Sequence, residues 1–319
     1  MSEVKAEQAL DDVDPAIRTF VNRINDSYAA LTVSEHPTMA ERRAVAEEVR
    51  KPWRSGGPEM AETRDFDING VRMRLHRPVA EVALPAMLYI HGGGWALFSI
   101  DTHDRLMREY AARAGIAVIG IDYSLSPEAK FPVALDEIVN AVEWLREHAD
   151  EMGIDAARMA IGGDSAGGNL TVATCLKLRD MGLAPVQAMV LNYGAFAPDH
   201  LPSYARYDGP NYCLTIEEMD AFWHDYVSNP AQLADPLVAP LHADLAELPP
   251  AFIAVAECDI LADCNRELAR RLHAAGVEVE VGDYQHATHS FLEAMSIAPL
   301  AAQALDDQAQ WLRKALRVV

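Results

Sequence analysis

The segment Gly163-Asp164-Ser165-Ala166-Gly167 has the pattern G-x-S-x-G. It follows the short apolar run 159–161 and opens a stretch of helical composition, so the serine would stand on a sharp strand-to-helix turn. Small residues at both ends allow that turn, and the amino end of the helix favours negative charge developing beside the hydroxyl. A glycine-rich helix start without chemistry is the alternative; a phosphate loop is disfavoured because no G-K-[ST] follows. The placement indicates that Ser165 is a nucleophile.

A second segment, His91-Gly92-Gly93-Gly94-Trp95, comes directly after the apolar run 87–90. Consecutive glycines let backbone N–H groups approach a reacting carbonyl without a Cβ in the way. Acyl transfer needs such donors about 3 Å from the developing oxyanion. A flexible turn is the alternative, but H-G-G-G after a strand is typical of the oxyanion loop of lipases and esterases.

A nucleophilic serine needs a general base and a carboxylate that orients the base. Where the serine stands on a G-x-S-x-G strand-to-helix turn, the acid and then the histidine follow it along the chain. Asp259 lies just beyond the apolar run 251–256, whereas Asp263 is better explained as a helix N-cap and Glu257 is the second candidate. His286 and His289 follow the run 277–281 on what we expect to be the last strand–helix loop. His289 is favoured because the apolar residues after it can anchor the loop.

Short apolar strands alternating with amphipathic helices would position these residues. Strands are predicted at 86–90, 116–121, 159–161, 188–191, 251–256 and 277–281, and helices at 101–114, 133–151, 166–180, 262–275 and 299–317. Residues 62–77 form a predicted edge hairpin around Asn69-Gly70, and two helices, 14–31 and one from Pro37 to Arg50, precede it. The pattern predicts an α/β fold with a mostly parallel sheet covered on both faces. The irregular region 192–249, with one helix near 215–228, resembles cap material over the carboxyl edge of the sheet.

Composition and charge restrict the partners. The chain has 319 residues, of which 50% are hydrophobic, and a net charge of -21, which disfavours nucleic acid and anionic membranes. The start of the chain lacks the pattern of a secretory signal, and the four cysteines show no framework, so the expected location is the cytoplasm. No motif for a metal or cofactor is present, and none is expected.

Taken together, the motifs resemble those of the hormone-sensitive-lipase-like family, chiefly its microbial carboxylesterases with the G-D-S-A-G turn. The match covers roughly residues 60–318 and is carried by six segments in the family's order: 91–95, 122–128, 163–168, 235–241, 259–263 and 289–291.

The resemblance implies an α/β-hydrolase fold and a serine carboxylesterase acting on short- to medium-chain esters. It implies that Ser165 attacks, His289 acts as base and Asp259 orients it. It implies oxyanion donors at Gly93, Gly94 and Ala166, and it suggests a possible homodimer. Trp95 and Asp164 are the residues expected at the substrate.

The expected organisation is an amino-terminal cap segment, 1–55, a catalytic core, 56–191 with 250–319, and a cap insertion, 192–249. Two departures from the family's pattern stand out. The sequence has Ser124-Leu125-Ser126 where Arg-Leu-Ala is common, and Ser290 where glycine is common. Both affect fine structure and substrate preference only. An acyl-sugar deacetylase, a lactonase, an amidase or a non-catalytic receptor on the same fold are the alternatives.

Overall fold

The structure, a computed structural model, describes residues 12–80 and 82–318. Its centre is one eight-stranded sheet in the spatial order β1-β2-β4-β3-β5-β6-β7-β8. β1 and β2 form an antiparallel hairpin, β2 pairs antiparallel with β4, and all remaining pairs are parallel. The strands are β1 (Glu62–Ile68), β2 (Val71–Arg77), β3 (Leu84–Ile90), β4 (Ala117–Ile121), β5 (Ile154–Asp164), β6 (Ala188–Asn192), β7 (Ala251–Cys258) and β8 (Val279–Thr288).

Helices cover both faces of this sheet, which is the α/β-hydrolase fold predicted from the alternation of elements. Two central strands, β3 and β4, are buried at every position, as expected for strands enclosed by helices. The helices of this layer are α3 (Asp104–Ala114), α4 (Val133–Glu147), α5 (Ala149–Met152), α6 (Ala166–Asp180), α9 (Ala262–Ala274) and α10 (Pro299–Ala315). Among the described residues, no helix has the length and apolar character needed to cross a bilayer.

Four further helices lie outside the alternation of strands and covering helices. α1 (Pro15–Leu31) and α2 (Met39–Arg50) precede the sheet, and α7 (Pro202–Arg206) and α8 (Ile216–Tyr226) lie between β6 and β7. Asp14 caps α1 by accepting from two amides of its first turn. Thr38 forms a capping box with Glu41 at the start of α2. Short 3₁₀ segments at Pro210–Tyr212, Pro230–Ala234, Pro240–His242 and Phe291–Ser296 complete the fold.

Several boundaries differ from the sequence prediction. Because Thr38 is the N-cap of α2, Pro37 precedes that helix and does not lie in its first turn. The predicted helix 133–151 is interrupted at His148. β8 continues to Thr288, so His286 lies in the strand and not on the following loop. This extension was missed because the outer strand carries polar residues that hide any apolar run.

Candidate active site

The turn that carries Ser165 joins the end of β5 to the start of α6. Ser165 has φ 53° and ψ -117°, a conformation that costs a non-glycine residue about 1–3 kcal/mol. The flanking glycines are required by space: a Cβ on Gly163 would lie 2.3 Å from the carbonyl oxygen of Ile90, and one on Gly167 would lie 2.0 Å from it. The tight approach of β3 to this turn therefore fixes the serine at the strand end.

Three side chains from different strand ends meet at this turn. His289 Nε2 lies 3.0 Å from Ser165 Oγ, and His289 Nδ1 lies 2.7 Å from Asp259 Oδ2. Since a carboxylate only accepts, Nδ1 carries the proton and Nε2 is left to accept from the serine hydroxyl. The other carboxylate oxygen, Asp259 Oδ1, accepts from the amide of Leu261 at 2.9 Å. All three side chains are buried, so the arrangement matches the geometry of an activated nucleophile.

The environment of His289 favours its protonation. Burial by itself lowers the pKa of the imidazole, but the charge of Asp259 and the hydrogen bond to it outweigh this effect. The pKa of His289 therefore lies above its ordinary value. An imidazole of this kind accepts a proton readily and is stabilised as the imidazolium by the adjacent carboxylate.

The loop after β3, residues 91–95, is called the glycine loop below. It packs tightly against its surroundings. Gly93 and Gly94 both have positive φ, 108° and 60°. A Cβ on Gly93 would lie 2.3 Å from the carbonyl oxygen of Leu97, and one on Gly94 would lie 2.2 Å from the ring of Phe222. Among the described residues, the amides of Gly93, Gly94 and Ala166 have no hydrogen-bond acceptor. These three N–H groups are thus available to an oxygen bound beside Ser165.

Asp164 fixes the position of the glycine loop through hydrogen bonds from buried groups. Its Oδ1 accepts from the hydroxyl of Tyr89 at 2.8 Å and from the amide of Gly92 at 3.1 Å. Its Oδ2 lies 3.4 Å from Nε2 of His103. Burial lowers the pKa of His103, but the charge of Asp164 outweighs it, so the pKa of His103 is raised. Asp164 also lines the cavity described next, where the sequence predicts that it contacts substrate.

A cavity of about 610 Å³ opens onto Ser165 and His289. Its walls come from α1, α2, the glycine loop and the region around α8, and include Tyr28, Arg50, Gly93, Gly94, Met219 and Phe222. The volume suits a small organic molecule.

Trp95 does not line this cavity. Its indole stacks on Tyr226, with ring centroids 4.4 Å apart, and packs at 4.5 Å against Trp223. Trp95 therefore joins the glycine loop to α8, and any influence on substrate would act through this packing.

Three other sequence candidates lie outside the triad. The N-cap of α9 is Leu261, and not Asp263 as the sequence had predicted. The carboxylate of Asp263 instead accepts from the amide of Ser203 and so connects α7 to α9. His286 is exposed, and Glu257 accepts from its amide. Neither Glu257 nor His286 contacts Ser165.

The two departures from the family's pattern have local explanations. The amide and hydroxyl of Ser124 donate to Glu137 at 2.7 and 2.6 Å, so a hydroxyl meets that carboxylate where the family more often has a cation. Ser290 has φ 59° and ψ 16°, a left-handed conformation that glycine adopts without strain. Both substitutions leave the contacts of His289 intact.

Sequence reasoning missed His103, Phe222 and Arg50. Their significance comes from contacts with residues distant in the chain, so no local motif marks them. The described residues contain no cluster of three or more side chains suited to a metal ion.

The chain is similar to known proteins over most of its length. Residues 87–293 match a family model described as an α/β hydrolase fold. Carboxylesterase NlhH from Mycobacterium tuberculosis is 39% identical over 246 residues, which cover 75% of this chain and 76% of that protein. A hyperthermophilic esterase from the archaeon Pyrobaculum calidifontis superposes with a TM-score of 0.88 at 32% identity, over 95% of this chain and 98% of that one.

A further solved structure is EstE1, a thermostable carboxylesterase cloned from a metagenomic library. It superposes with a TM-score of 0.85 at 33% identity, over 89% of this chain and 99% of that one. The family match spans more than half of the chain, and the identity with carboxylesterase NlhH extends over three quarters of it. This chain therefore belongs to the hormone-sensitive-lipase-like family of α/β hydrolases.

Proposed function

We propose that the protein is a serine carboxylesterase that hydrolyses small carboxylic esters through an acyl-enzyme. The single observation that supports this most is the chain of contacts Asp259–His289–Ser165, at 2.7 and 3.0 Å, in the wall of a cavity. The carboxylesterase and esterases that it resembles support the same reaction class.

The reaction proceeds in two steps. Ser165 Oγ attacks the ester carbonyl while Nε2 of His289 takes its proton, and Asp259 stabilises the imidazolium. The amides of Gly93, Gly94 and Ala166 hold the oxyanion, and each donor lowers the barrier by up to about 3–4 kcal/mol. His289 then protonates the leaving alcohol, and in the second step it takes a proton from water, which attacks the acyl carbon and releases the acid.

The division into a cap and a core is part of this proposal. Segments 1–55 and 192–249 would form the cap, and 56–191 with 250–319 the catalytic core; residues 1–11, 81 and 319 of this division lie outside the described part of the chain. The lining of the cavity supports this division, because residues of α1, α2 and α8 line the cavity together with Ser165 and His289. The preference for short to medium acyl chains is part of the same proposal, and the cavity of about 610 Å³ supports it because that volume suits a small ester. Work in the cytoplasm and assembly as a homodimer are further proposals, which cell fractionation and light scattering would test.

Substitution of the nucleophile tests the proposal. Ser165→Ala should lower kcat on p-nitrophenyl butyrate by at least about 10³-fold, because the covalent step is lost. The wild-type protein should also react with one equivalent of a fluorophosphonate at Ser165. His289→Ala should be nearly as severe, and the matched control His286→Ala should retain activity. Full activity of Ser165→Ala with unchanged circular dichroism would refute the mechanism.

A further inference from the structure

The cavity wall contains a buried arginine, Arg50, at the end of α2. Its side chain is 5% exposed, and Nε lies 2.7 Å from Oε2 of Glu293. The guanidinium carbon lies 4.7 Å from the ring centroid of Phe98. Glu293 and Phe98 therefore hold the guanidinium group in one place.

Much of the hydrogen-bonding capacity of this guanidinium is unused. Arginine has five N–H donors. Nε and Nη1 are enclosed, and neither makes a hydrogen bond of good geometry within the described part of the chain. Nη2 is not among the enclosed atoms and likewise has no acceptor in residues 12–80 and 82–318. Since Arg50 lines the cavity, Nη2 is the donor that a bound molecule can reach.

Arg50 lies close to the reacting groups. The ring of Phe98 abuts the glycine loop, because a Cβ on Gly93 would lie 2.8 Å from it. Arg50 sits on that same ring, so about one aromatic ring separates it from Gly93. On the other side, Glu293 follows His289 by four residues. The guanidinium thus lies between the glycine loop and the segment that carries the base.

Tyr28 adds a second donor to the same wall. Its side chain lines the cavity and is half-buried, and its hydroxyl has no hydrogen-bond partner among the described residues. Burial raises the pKa of Tyr28 and the nearby charge of Arg50 opposes it, with a net increase, so the phenol remains protonated at neutral pH. Two side-chain donors without acceptors among the described residues therefore lie in the wall of the cavity that opens onto Ser165.

We propose that Arg50, with Tyr28 beside it, binds a second oxygen acceptor of the substrate. The preferred substrates are then esters that carry a further ketone, ester or amide carbonyl in the acyl or alcohol part. A neutral acceptor fits better than a carboxylate, because Glu293 already balances the charge of Arg50 and Glu218 also lines the cavity. This inference deepens the proposed function and depends on it.

Two pairs of esters of matched shape test the inference. The acyl pair is p-nitrophenyl 4-oxopentanoate and p-nitrophenyl 4-methylpentanoate, and the alcohol pair is 3-oxobutyl acetate and 3-methylbutyl acetate. In each pair a carbonyl oxygen replaces a methyl group. The measured quantity is the ratio of kcat/KM for the oxo ester to kcat/KM for the methyl ester. We expect Arg50→Met to lower this ratio about tenfold in one pair at least, the size expected for a hydrogen bond from a charged donor.

Matched variants separate substrate binding from a structural role. Arg50→Met leaves Glu293 buried without its partner, so the double variant Arg50→Met/Glu293→Met is measured as well. Glu293→Gln should keep or raise the ratio, because it removes the negative charge that balances the guanidinium and leaves Nη2 in place. Lys51→Met removes the same charge from an exposed neighbour and should not change the ratio. The loss should fall mainly on KM, since the second acceptor is not part of the reacting ester group and its contact is the same in the ground state and the transition state.

The outcomes are distinguishable. A fall of the ratio by threefold or more in the double variant, in either pair, supports the inference. A smaller change in both pairs overturns it, whatever happens to the absolute rates. If the wild-type protein hydrolyses neither the oxo nor the methyl esters, nor p-nitrophenyl butyrate, it is the proposed function that fails.

Discussion

At the scale of single residues, the site depends on a conformation that few residues tolerate. Ser165 is held at φ 53° by a hydrogen bond from its amide to the carbonyl of Asn192 at 2.9 Å and by the contact of Gly163 and Gly167 with β3. The strain is local, and the packing of the sheet offsets it. The glycines and the serine could be identified from the sequence because this geometry allows only small residues.

The raised pKa of His289 determines the pH dependence. A neutral imidazole is required, so kcat/KM should fall as pH drops through the pKa of His289, and the midpoint should lie above the ordinary value of about 6.5. Asp259→Asn removes the charge that raises the pKa, and burial then dominates. We expect its midpoint to move to lower pH, with kcat reduced by about 10⁴-fold as in other triads.

The measurement is kcat/KM for p-nitrophenyl acetate between about pH 4 and pH 9, within the range where a histidine titrates. His286→Ala is the control, and it should keep the wild-type midpoint because that imidazole is exposed and outside the triad. A midpoint that does not move in Asp259→Asn would show that another group controls the acidic limb.

At the scale of elements, the strand ends could be predicted but the contacts between elements could not. Residues 166–180 are helical as predicted, because a strand, a turn and a helix are all encoded locally. The cavity wall, by contrast, combines α1, α2 and α8, which are distant in sequence. The sequence indicated cap material there, yet it gave no means of knowing that Phe222 would lie on Gly94.

The contact between α3 and β5 fixes the glycine loop. His103, before α3, faces Asp164 at the end of β5, and both are buried. His103→Ala leaves Asp164 without its charged partner, so we expect the free energy of unfolding to fall by about 3 kcal/mol. The loop should also loosen, and kcat should fall about tenfold or more while KM changes little.

Urea denaturation and steady-state kinetics check this prediction. His273→Ala, on an exposed part of α9, is the control and should change neither quantity. A His103→Ala protein that is destabilised but has wild-type kcat would mean that the ion pair stabilises the fold without positioning the loop.

The contact of α8 with the glycine loop should limit acyl chain length. Phe222→Ala enlarges the cavity beside Gly94. Longer acyl chains can then bury additional CH₂ groups, each worth about 0.8 kcal/mol or about fourfold in kcat/KM. A panel of p-nitrophenyl esters should therefore show a longer optimum for Phe222→Ala than for His224→Ala, a highly exposed control on the same helix. An unchanged optimum would place the acyl chain elsewhere.

At the scale of the whole molecule, the charge distribution opposes anionic substrates. The net charge is -21, and it acts on approaching molecules over about a Debye length, which is about 10 Å at 0.1 M salt. Inside the cavity, Glu293 balances Arg50 at 2.7 Å, and the lining holds Arg42 together with the carboxylates of Glu41 and Glu218. The cavity therefore offers anionic substrates no strong local attraction that would overcome the repulsion from the acidic surface.

This balance predicts an effect of salt that depends on the charge of the substrate. The kcat/KM for an anionic ester such as mono-p-nitrophenyl glutarate should rise as NaCl increases from about 20 to about 200 mM, because screening weakens the repulsion. The neutral p-nitrophenyl pentanoate serves as the reference. The ratio of kcat/KM for the anionic ester to kcat/KM for the neutral ester removes any general effect of salt. A ratio that falls with salt would mean that positive charge near the cavity, and not the acidic surface, governs the approach of anions. A larger rise in Arg50→Met/Glu293→Met than in wild type would contradict the local neutrality of that pair, since removing a balanced pair should leave the slope unchanged.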